Sequence, residues 1–236
     1  MTRFPSRLAL PALSLIAGIT LPPFQAQALD ISVPGTGLQL QVPTTTLQQQ
    51  VYRQTVKQQF DFSCGSAALA TLLTHHYNDP AQEEEIFRHM WSHGDRARIR
   101  NEGFSLLDMK RYLAERGYKA DGFRFSLDRL QQLGVPAILL IQEEGYSHFV
   151  VIKGLSRDHV LVGDPAKGTR IIPRSRFEKM RRSDIVFLIR NRSSVGRRHF
   201  NRNEDWQQVA RAPLPLSIPR APVSETTLFA RSTNEF

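Results

Sequence analysis

The sequence has a single cysteine, Cys64, so no disulfide can form within the chain. This excludes the class of small secreted scaffolds that are held together by disulfides. The sequence also lacks the G-x-x-x-x-G-K-[ST] signature of a phosphate-binding loop, so no ATP-binding domain is predicted. After residue 28 it has no internal repeat and no apolar run near the ~20 residues that cross a bilayer. The 236 residues suit one medium-sized domain with extensions.

The first 28 residues have the layout of a secretory signal peptide. Two arginines precede an apolar run, Leu8–Leu21, and the tripeptide Ala-Gln-Ala ends at residue 28. The run is short and contains proline, which favours a cleaved signal over the alternative of an uncleaved membrane anchor. We therefore expect an exported, soluble protein of a bacterial periplasm whose mature chain begins at Leu29. A lone thiol in that oxidising compartment is expected to be inert, joined to another chain, or kept for its reactivity.

Positive charge is concentrated in one C-terminal stretch. Residues 167–202 contain twelve Lys or Arg and two Asp or Glu, a net charge of +10, whereas the whole chain carries +9. No nucleic-acid-binding motif accompanies this charge, so nucleic acid is not expected as a partner. A solvated surface is the simplest interpretation, and contact with anionic lipid or an acidic partner is the alternative.

Composition divides the chain into four segments. The signal peptide (1–28) is followed by a lead-in of low charge (29–50), a folded domain (51–190) and a polar, proline-containing tail (191–236). The tail is predicted to be largely disordered, with Trp206 and Leu228-Phe229 as candidate docking residues for a partner.

Periodicity predicts helices in the first half of the domain and strands in the second. Apolar residues at helical spacing, with capping and stop signals, predict helices over 65–77, 82–92, 106–116 and 127–133, and a brief one over 174–180. Short β-branched segments predict strands over 51–56, 137–142, 148–153, 159–162, 169–172 and 185–189. This order indicates an α+β fold, with the helices on one side of an antiparallel sheet.

Cys64 is a candidate nucleophile because the first predicted helix begins directly after it. Free backbone N–H groups and the helix dipole favour a thiolate at such a position. Gly65 leaves room there for the backbone of a substrate. The position alone is insufficient, because a catalytic cysteine also needs a histidine base and a group that orients the histidine.

His148 and Asp164 are the candidate partners of that cysteine. Of the seven histidines, His148 opens an apolar strand, SHFVVIKGL, which presents its ring in a fixed orientation. Asp164 follows sixteen residues later, at the end of the next predicted strand and before Pro165. A hairpin of this length brings the two strand ends together, so Asp164 is predicted to accept a hydrogen bond from the ring. A packed edge histidine and a turn-forming aspartate are the structural alternatives.

The set of Gln58, Cys64-Gly65, His148 and Asp164-Pro165 resembles the C39 peptidases, over residues 51–190. These are papain-like cysteine proteases, best known from ABC exporters, in which they cut leader peptides after a double glycine. The resemblance implies a papain-like α+β fold with Cys64 as nucleophile and His148 as general base. It also implies that Asp164 orients the histidine and that the Gln58 side chain donates to the oxyanion, with neither cofactor nor metal.

Two departures from the family pattern matter. Ser63 precedes the cysteine where the family usually has Asp, and we expect this change to tune the site without abolishing it. The sequence also has no transporter and no nucleotide-binding loop, so ATP binding is not carried over. In this it is similar to the branch of the family that accompanies the functional amyloid secretion system of Pseudomonas. That likeness implies a periplasmic peptide or protein substrate, with amyloid or secretion components as candidates, and the double-glycine rule need not hold.

Two further features are weaker candidates for the cleft. Ser147, together with Gly145 and Tyr146, is expected to shape the cleft near His148, although an ordinary hairpin turn explains it equally well. The charged segment 94–102 is predicted to be a loop at the rim of the cleft.

Three other functions stay open at the level of sequence. A C39-like module that binds peptides without cutting them would use the same fold. A Cys-His-Asp acyltransferase of the transglutaminase type would have the same chain order. His89 and His93 present two imidazoles on one helix face, but without a third ligand or an H-E-x-x-H pattern a metal site is not expected.

Overall fold

The computed structural model describes residues 28–32, 39–43 and 47–211, which belong to two units. In the first unit, Met1–Thr45, strand β1 (Ala28–Ser32) pairs antiparallel with β2 (Gln39–Pro43). The predicted signal peptide lies outside the described residues, apart from its last residue. The predicted lead-in thus contains a two-stranded hairpin.

The second unit contains the helices described for this chain. They are α1 (Leu47–Val51), α2 (Cys64–His76), α3 (Glu83–His93), α4 (Arg96–Glu102), α5 (Leu106–Glu115), α6 (Leu127–Leu133), α7 (Arg174–Met180), α8 (Ser193–Arg198) and α9 (Asn203–Arg211). Within the described residues, none of these helices has the length and apolarity needed to cross a membrane.

The sheet of this unit has six strands, all paired antiparallel. They are β3 (Ala120–Arg124), β4 (Ala137–Glu143), β5 (Tyr146–Leu155), β6 (His159–Asp164), β7 (Gly168–Pro173) and β8 (Ile185–Ile189), in the spatial order β3-β8-β4-β5-β6-β7. Strands β4 and β5 form a tight hairpin closed by Glu144 and Gly145, both with positive φ, as the two-residue turns of hairpins require. The structure confirms the predicted α+β class with helices packed on an antiparallel sheet.

Helices cover both faces of this sheet, not the single face predicted. Helices α2, α3 and α5 pack on the face that carries Ile138, Phe149 and Val151. Helices α6 and α7 pack on the opposite face, with Leu139 and Val150. Successive side chains of a strand point to opposite faces, and β4 and β5 are apolar on both, so both faces need a cover.

Helix α2 is the central helix, since eleven of its thirteen residues are buried. Its sequence, CGSAALATLLTHH, is rich in Ala and Leu and has no apolar stripe facing a polar one. A helix that is apolar all round is expected to be buried, and α2 has packing partners in α3, α5 and β5. The start of α2, with Cys64, is thereby held in the protein interior.

The segment 51–56, predicted as a strand, forms no strand. Val51 ends α1, and the next residues form turns. The N–H of Val56 donates to Thr71 Oγ1 at 2.8 Å, and the hydroxyls of Thr55 and Thr169 lie 2.6 Å apart. Threonine hydroxyls from α2 and β7 therefore bind this segment in place of a sheet ladder.

The structure also differs from the predicted disorder after residue 191, because α8 and α9 fold back onto the domain. The N–H of Asn201 donates to the carbonyl of Lys153 at 2.8 Å. The Lys153 ammonium, fully buried on β5, lies 3.9 Å from the buried carboxylate of Asp205 in α9 and donates to the carbonyl of Gln54 at 2.8 Å. A buried ammonium needs such partners, so the segment up to 211 is part of the folded unit. Trp206 donates to Asn201 at 2.9 Å, whereas Leu228-Phe229 lies outside the described residues.

Candidate active site

Cys64 is the first residue of α2 and is 6% exposed. The turn before it is closed by Ser63, whose hydroxyl accepts from the N–H of Phe60 at 3.1 Å and donates to the carbonyl of the same residue at 3.0 Å. Ser63 is fully buried, and its own carbonyl accepts from the Ser66 hydroxyl at 2.8 Å. The residue at the family's usual Asp position therefore fixes the turn that presents the thiol.

The electrostatic surroundings of the thiol differ from the sequence-based expectation of a thiolate. Burial raises the pKa of Cys64, although hydrogen bonds from the backbone of Phe149 and Gly65 act in the opposite direction. The negative charge of Asp164 raises it further. Helix-start N–H groups are thus present but outweighed, and the sulfur needs a base to take its proton.

His148 and Asp164 form the hydrogen bond that the sequence predicts. The His148 ring is 3% exposed, and its Nε2 lies 3.1 Å from Oδ2 of the fully buried Asp164. Burial alone would raise the pKa of Asp164, but the His148 hydrogen bond and charge, the charge of Arg170 and the N–H of Ala166 together lower it. An ionised carboxylate only accepts, so Nε2 is the ring atom that carries the hydrogen.

The other ring nitrogen of His148 is therefore the basic one. Nδ1 is buried and, among the residues that the structure describes, has no hydrogen-bond partner. The next residue, Phe149, is the one whose backbone contacts the Cys64 thiol. Strand β5, which carries His148 and Phe149, thus meets helix α2, which begins with Cys64.

Gln58 lies next to this group, tied to the loop that follows Asp164. Its backbone N–H donates to the carbonyl of Pro165 at 3.0 Å, and its side-chain Nε2 donates to the carbonyl of Phe60 at 3.2 Å. An amide nitrogen carries two hydrogens, so one N–H is left for another acceptor. The Oε1 atom is buried and has no partner among the described residues.

Gly65 and Ser147 have different roles in the structure. A Cβ on Gly65 would lie 2.9 Å from Cε of Met109 and 3.0 Å from Cβ of Phe104, so the missing side chain makes room for the core and not for a substrate. Ser147 is exposed and lines the groove that contains Cys64, and its part in shaping a substrate cleft stays a prediction.

A groove of about 510 Å³ runs from Cys64 between the helices and the end of the sheet. One wall comes from the segment joining α4 and α5 and the other from β4, β5 and β8, and most of the lining is apolar: Phe104, Leu106, Leu107, Leu140, Phe149 and Ile185. The predicted rim loop 94–102 does line it, through Arg98 and Glu102, but as helix α4. Asp95 caps this helix by accepting from the N–H groups of Ala97 and Arg98.

Sequence reasoning placed Tyr146 near His148 without its contacts, and it missed Arg170 and Glu143 near Asp164. The ring of Tyr146 stacks on that of His148, and its hydroxyl donates to the carbonyl of Asp61. Arg170 lies 2.8 Å from Asp164 and also pairs with Glu143. The position of Tyr146 two residues before His148 pointed to it. The spacing of residues in the sequence does not reveal contacts such as those of Arg170, which join different strands.

His89 and His93 lie away from this group, on α3. Their rings stack at 4.3 Å, and Nε2 of His89 lies 2.7 Å from a carboxylate oxygen of Glu115. Over the described ranges, no group of three or more His, Cys, Asp or Glu side chains is arranged to hold a metal ion.

Comparison with known proteins identifies a protein family that this chain matches. The sequence model of the peptidase C39 family matches residues 52–193. A probable functional amyloid protease, FapD, of Pseudomonas aeruginosa is 44% identical over 119 residues, which are 50% of this chain and 53% of that protein. Its counterpart in Pseudomonas fluorescens is 41% identical over 117 residues, 50% and 52% of the two chains. The chain thus spans about half the length of the curated relatives it matches, and the resemblance inferred from the motif set is confirmed.

Two solved structures are also similar. The peptidase domain of Streptococcus ComA, a bifunctional ABC transporter of a quorum-sensing pathway, gives a TM-score of 0.49 at 16% identity, covering 58% of this chain and 96% of that one. A double glycine motif protease from an AMS/PCAT transporter, in complex with its leader peptide, gives 0.47 at 25% identity, covering 57% and 89%.

Proposed function

The chain belongs to the peptidase C39 family, and we propose that it is a cysteine endopeptidase with Cys64 as nucleophile, His148 as general base and Asp164 as the group that orients the base. The observation that carries this proposal is the hydrogen bond of His148 Nε2 to Asp164. It leaves Nδ1 of the same ring buried and unpartnered among the described residues, and the backbone of the next residue, Phe149, bonds to the thiol.

In the first step, His148 Nδ1 removes the thiol proton as Cys64 Sγ attacks the carbonyl carbon of the scissile peptide bond. The raised pKa of the buried thiol fits this order, because proton removal and attack are then coupled. The imidazolium that forms is stabilised by the carboxylate of Asp164.

The oxyanion of the tetrahedral intermediate would accept from the backbone N–H of Cys64 and from the spare N–H of Gln58. Fixed donors at the place where charge develops supply about 3 kcal/mol each, judged by the removal of such donors elsewhere. The bond from Gln58 to Phe60 orients the amide, which supports this role.

The second half of the reaction regenerates the thiol. His148 gives its proton to the leaving amine, the C–N bond breaks, and a thioester to Cys64 remains. Water then attacks the thioester, with Nδ1 again taking a proton, and the peptide acid and the free thiol are released.

The substrate would be a peptide or protein segment lying extended in the groove beside Cys64. The lining of the groove is mostly apolar, and Leu107 and Ile185 in it are 52% and 36% exposed. The groove therefore favours peptide segments with apolar side chains. The relatives carry the name of functional amyloid proteases, so components of an amyloid or secretion system are the proposed substrates.

The proposed location is the periplasm. It rests on the signal-peptide pattern of residues 1–28, because the exported components of a secretion system would meet the enzyme there. Fractionation of a bacterium that expresses the full chain tests it, with mass determination of the N-terminus. A mature protein that begins at Leu29 in the periplasmic fraction is expected, and an intact N-terminus in the membrane fraction would contradict it.

The peptidase proposal is tested with a proteome-derived peptide library and mass spectrometry of the new termini. Wild type should produce a defined set of cleavage sites that is absent with Cys64→Ala and unchanged by EDTA. Binding of peptides without new termini would instead favour the silent binding module. Release of ammonia from glutamine peptides in the presence of an amine would favour the acyltransferase.

A further inference from the structure

The carboxylate of Asp164 has a second side-chain partner besides His148. Nη2 of Arg170 lies 2.8 Å from Oδ2 of Asp164, the oxygen that also accepts the ring N–H of His148 at 3.1 Å. The other oxygen, Oδ1, accepts from the backbone N–H groups of Ala166 at 2.9 Å and Lys167 at 3.2 Å. Because the carboxylate is fully buried, these four contacts determine its orientation.

Arg170 is itself held in place by Glu143. Nη1 lies 3.3 Å from Oε1 of this carboxylate and Nη2 lies 2.8 Å from Oε2, a two-pronged contact. Arg170 is on β7 and Glu143 ends β4, and the two strands between them in the sheet carry His148 and Asp164. The ion pair therefore spans the strands that hold the proposed base and its orienting group.

Building on the peptidase function proposed above, we propose that Arg170 is a positioning residue. It holds the Asp164 carboxylate in the orientation that accepts the Nε2 proton of His148, and so keeps Nδ1, the proposed base, unprotonated. Neutral imidazole has two tautomers, and the partner of one nitrogen selects which nitrogen is basic. Without Arg170, Oδ2 of Asp164 would keep only the contact with His148 while Oδ1 stays bound to the two backbone N–H groups. A less firmly held Oδ2 would let the proton move to Nδ1, and the thiol would lose its base.

The other charged or titratable groups near Asp164 do not supply this contact. Cys64 faces it from the start of α2, and Tyr52 faces it from the segment after α1, with its hydroxyl bonded to the carbonyl of Ala166. Neither side chain carries a positive charge. Among the described residues, Arg170 is thus the cation besides His148 that acts on the carboxylate and lowers the pKa of Asp164.

A purely structural role would be a clamp between β4 and β7. Two other cations also bind Glu143, namely Lys167 at 2.9 Å and Arg176 at 3.1 Å. Arg176 comes from α7, its side chain is 65% exposed, and its ion pair is with Glu143 and not with Asp164. Arg176→Gln therefore removes one ion pair of Glu143 without touching the carboxylate of interest, and is the matched control.

The test uses the full chain labelled with ¹⁵N-histidine, with long-range ¹H–¹⁵N spectra of the His148 ring at neutral pH. The ring signals are assigned by their loss in His148→Gln. Wild type and Arg176→Gln should show the Nε2–H tautomer, whereas Arg170→Gln should show a mixture with Nδ1–H. Alkylation of Cys64 by iodoacetamide should slow about tenfold in Arg170→Gln and by less than about twofold in the control. Arg170→Lys keeps the charge, so it should recover most of the Nε2–H tautomer and most of the wild-type alkylation rate.

The outcomes separate the two proposals. An unchanged tautomer and alkylation rate in Arg170→Gln overturns the positioning role, as does a Lys variant as impaired as the Gln variant. If Cys64 is alkylated as fast in His148→Gln as in wild type, the peptidase proposal itself fails. Should Arg170→Gln unfold, Arg170→Met keeps the apolar stem and replaces it in the same comparison.

Discussion

The ring of Tyr146 lies against the ring of His148, with centroids 5.7 Å apart and planes 21° apart. The Tyr146 hydroxyl donates to the carbonyl of Asp61, in the turn that leads to Cys64. One half-exposed side chain therefore covers the proposed base and joins strand β5 to the loop that presents the thiol.

This relationship predicts unequal effects of two substitutions at Tyr146. Tyr146→Phe removes only the exposed hydrogen bond, worth about 1 kcal/mol, so iodoacetamide alkylation of Cys64 should slow by no more than about fivefold. Tyr146→Ala also removes the stacked ring and should slow it clearly more. Equal effects of the two variants would show that the ring itself does not position His148.

The second prediction concerns the thiol. Burial raises the pKa of Cys64, so without its base the sulfur should form a thiolate only in alkaline solution. The alkylation rate of His148→Ala should therefore rise at a higher pH than that of wild type. The measurement is the iodoacetamide rate from pH 5 to 10, with an exposed-histidine variant, His159→Ala, as control. Superimposable curves for wild type and His148→Ala would mean that the two side chains do not form a working pair.

The third prediction concerns acid stability. The hydrogen bonds from Arg170 and Lys167 and the charges of both lower the pKa of Glu143 to about 2, whereas burial acts the other way. A carboxyl whose folded-state pKa is depressed adds stability above its unfolded pKa, and this is lost as pH falls through the folded value.

Thermal unfolding from pH 7 to pH 2 checks it in wild type and Glu143→Gln. The difference in Tm between the two should be largest near neutral pH and shrink between about pH 4.5, the ordinary pKa of a glutamate, and pH 2, the pKa of Glu143 in the fold. Glu144→Gln, an exposed neighbour, should follow the wild-type curve. A Tm difference that stays constant down to pH 2 would exclude an ionic contribution from Glu143.

The fourth prediction concerns the C-terminal helices. Asp205 is fully buried between Arg202, at 3.1 Å, and Lys153, at 3.9 Å. Asp205→Ala leaves both cations without this carboxylate and should destabilise the fold by about 3 kcal/mol, the scale for a broken buried pair. Urea unfolding measures it, and Glu204→Ala on the exposed face of α9 is the control. Equal stability of the two variants would mean that α9 contributes little to the fold.

The elements that the sequence predicted best are those whose pattern is local. Helices 106–116 and 127–133 have a Ser cap and a Gly stop, and both formed within one residue of the expected bounds. Strand β3 was missed because Gly122 interrupts its strand pattern. Helix α4 was missed because its residues are mostly charged and show no apolar periodicity. Strand 51–56 failed because its β-branched residues bind threonine hydroxyls of α2 and β7.

For the site, the sequence by itself determined which residue types stand at helix and strand ends, and hence that Cys64, His148 and Asp164 were candidates. The spacing of His148 and Asp164 was enough to predict their contact, because a hairpin of sixteen residues brings its two ends together. Only the tertiary structure decided which nitrogen of His148 is free, how strongly burial opposes ionisation of the thiol, and that Arg170 reaches Asp164. Those properties depend on contacts between residues far apart in the chain and on the exclusion of water. Neither can be seen in a short stretch of sequence.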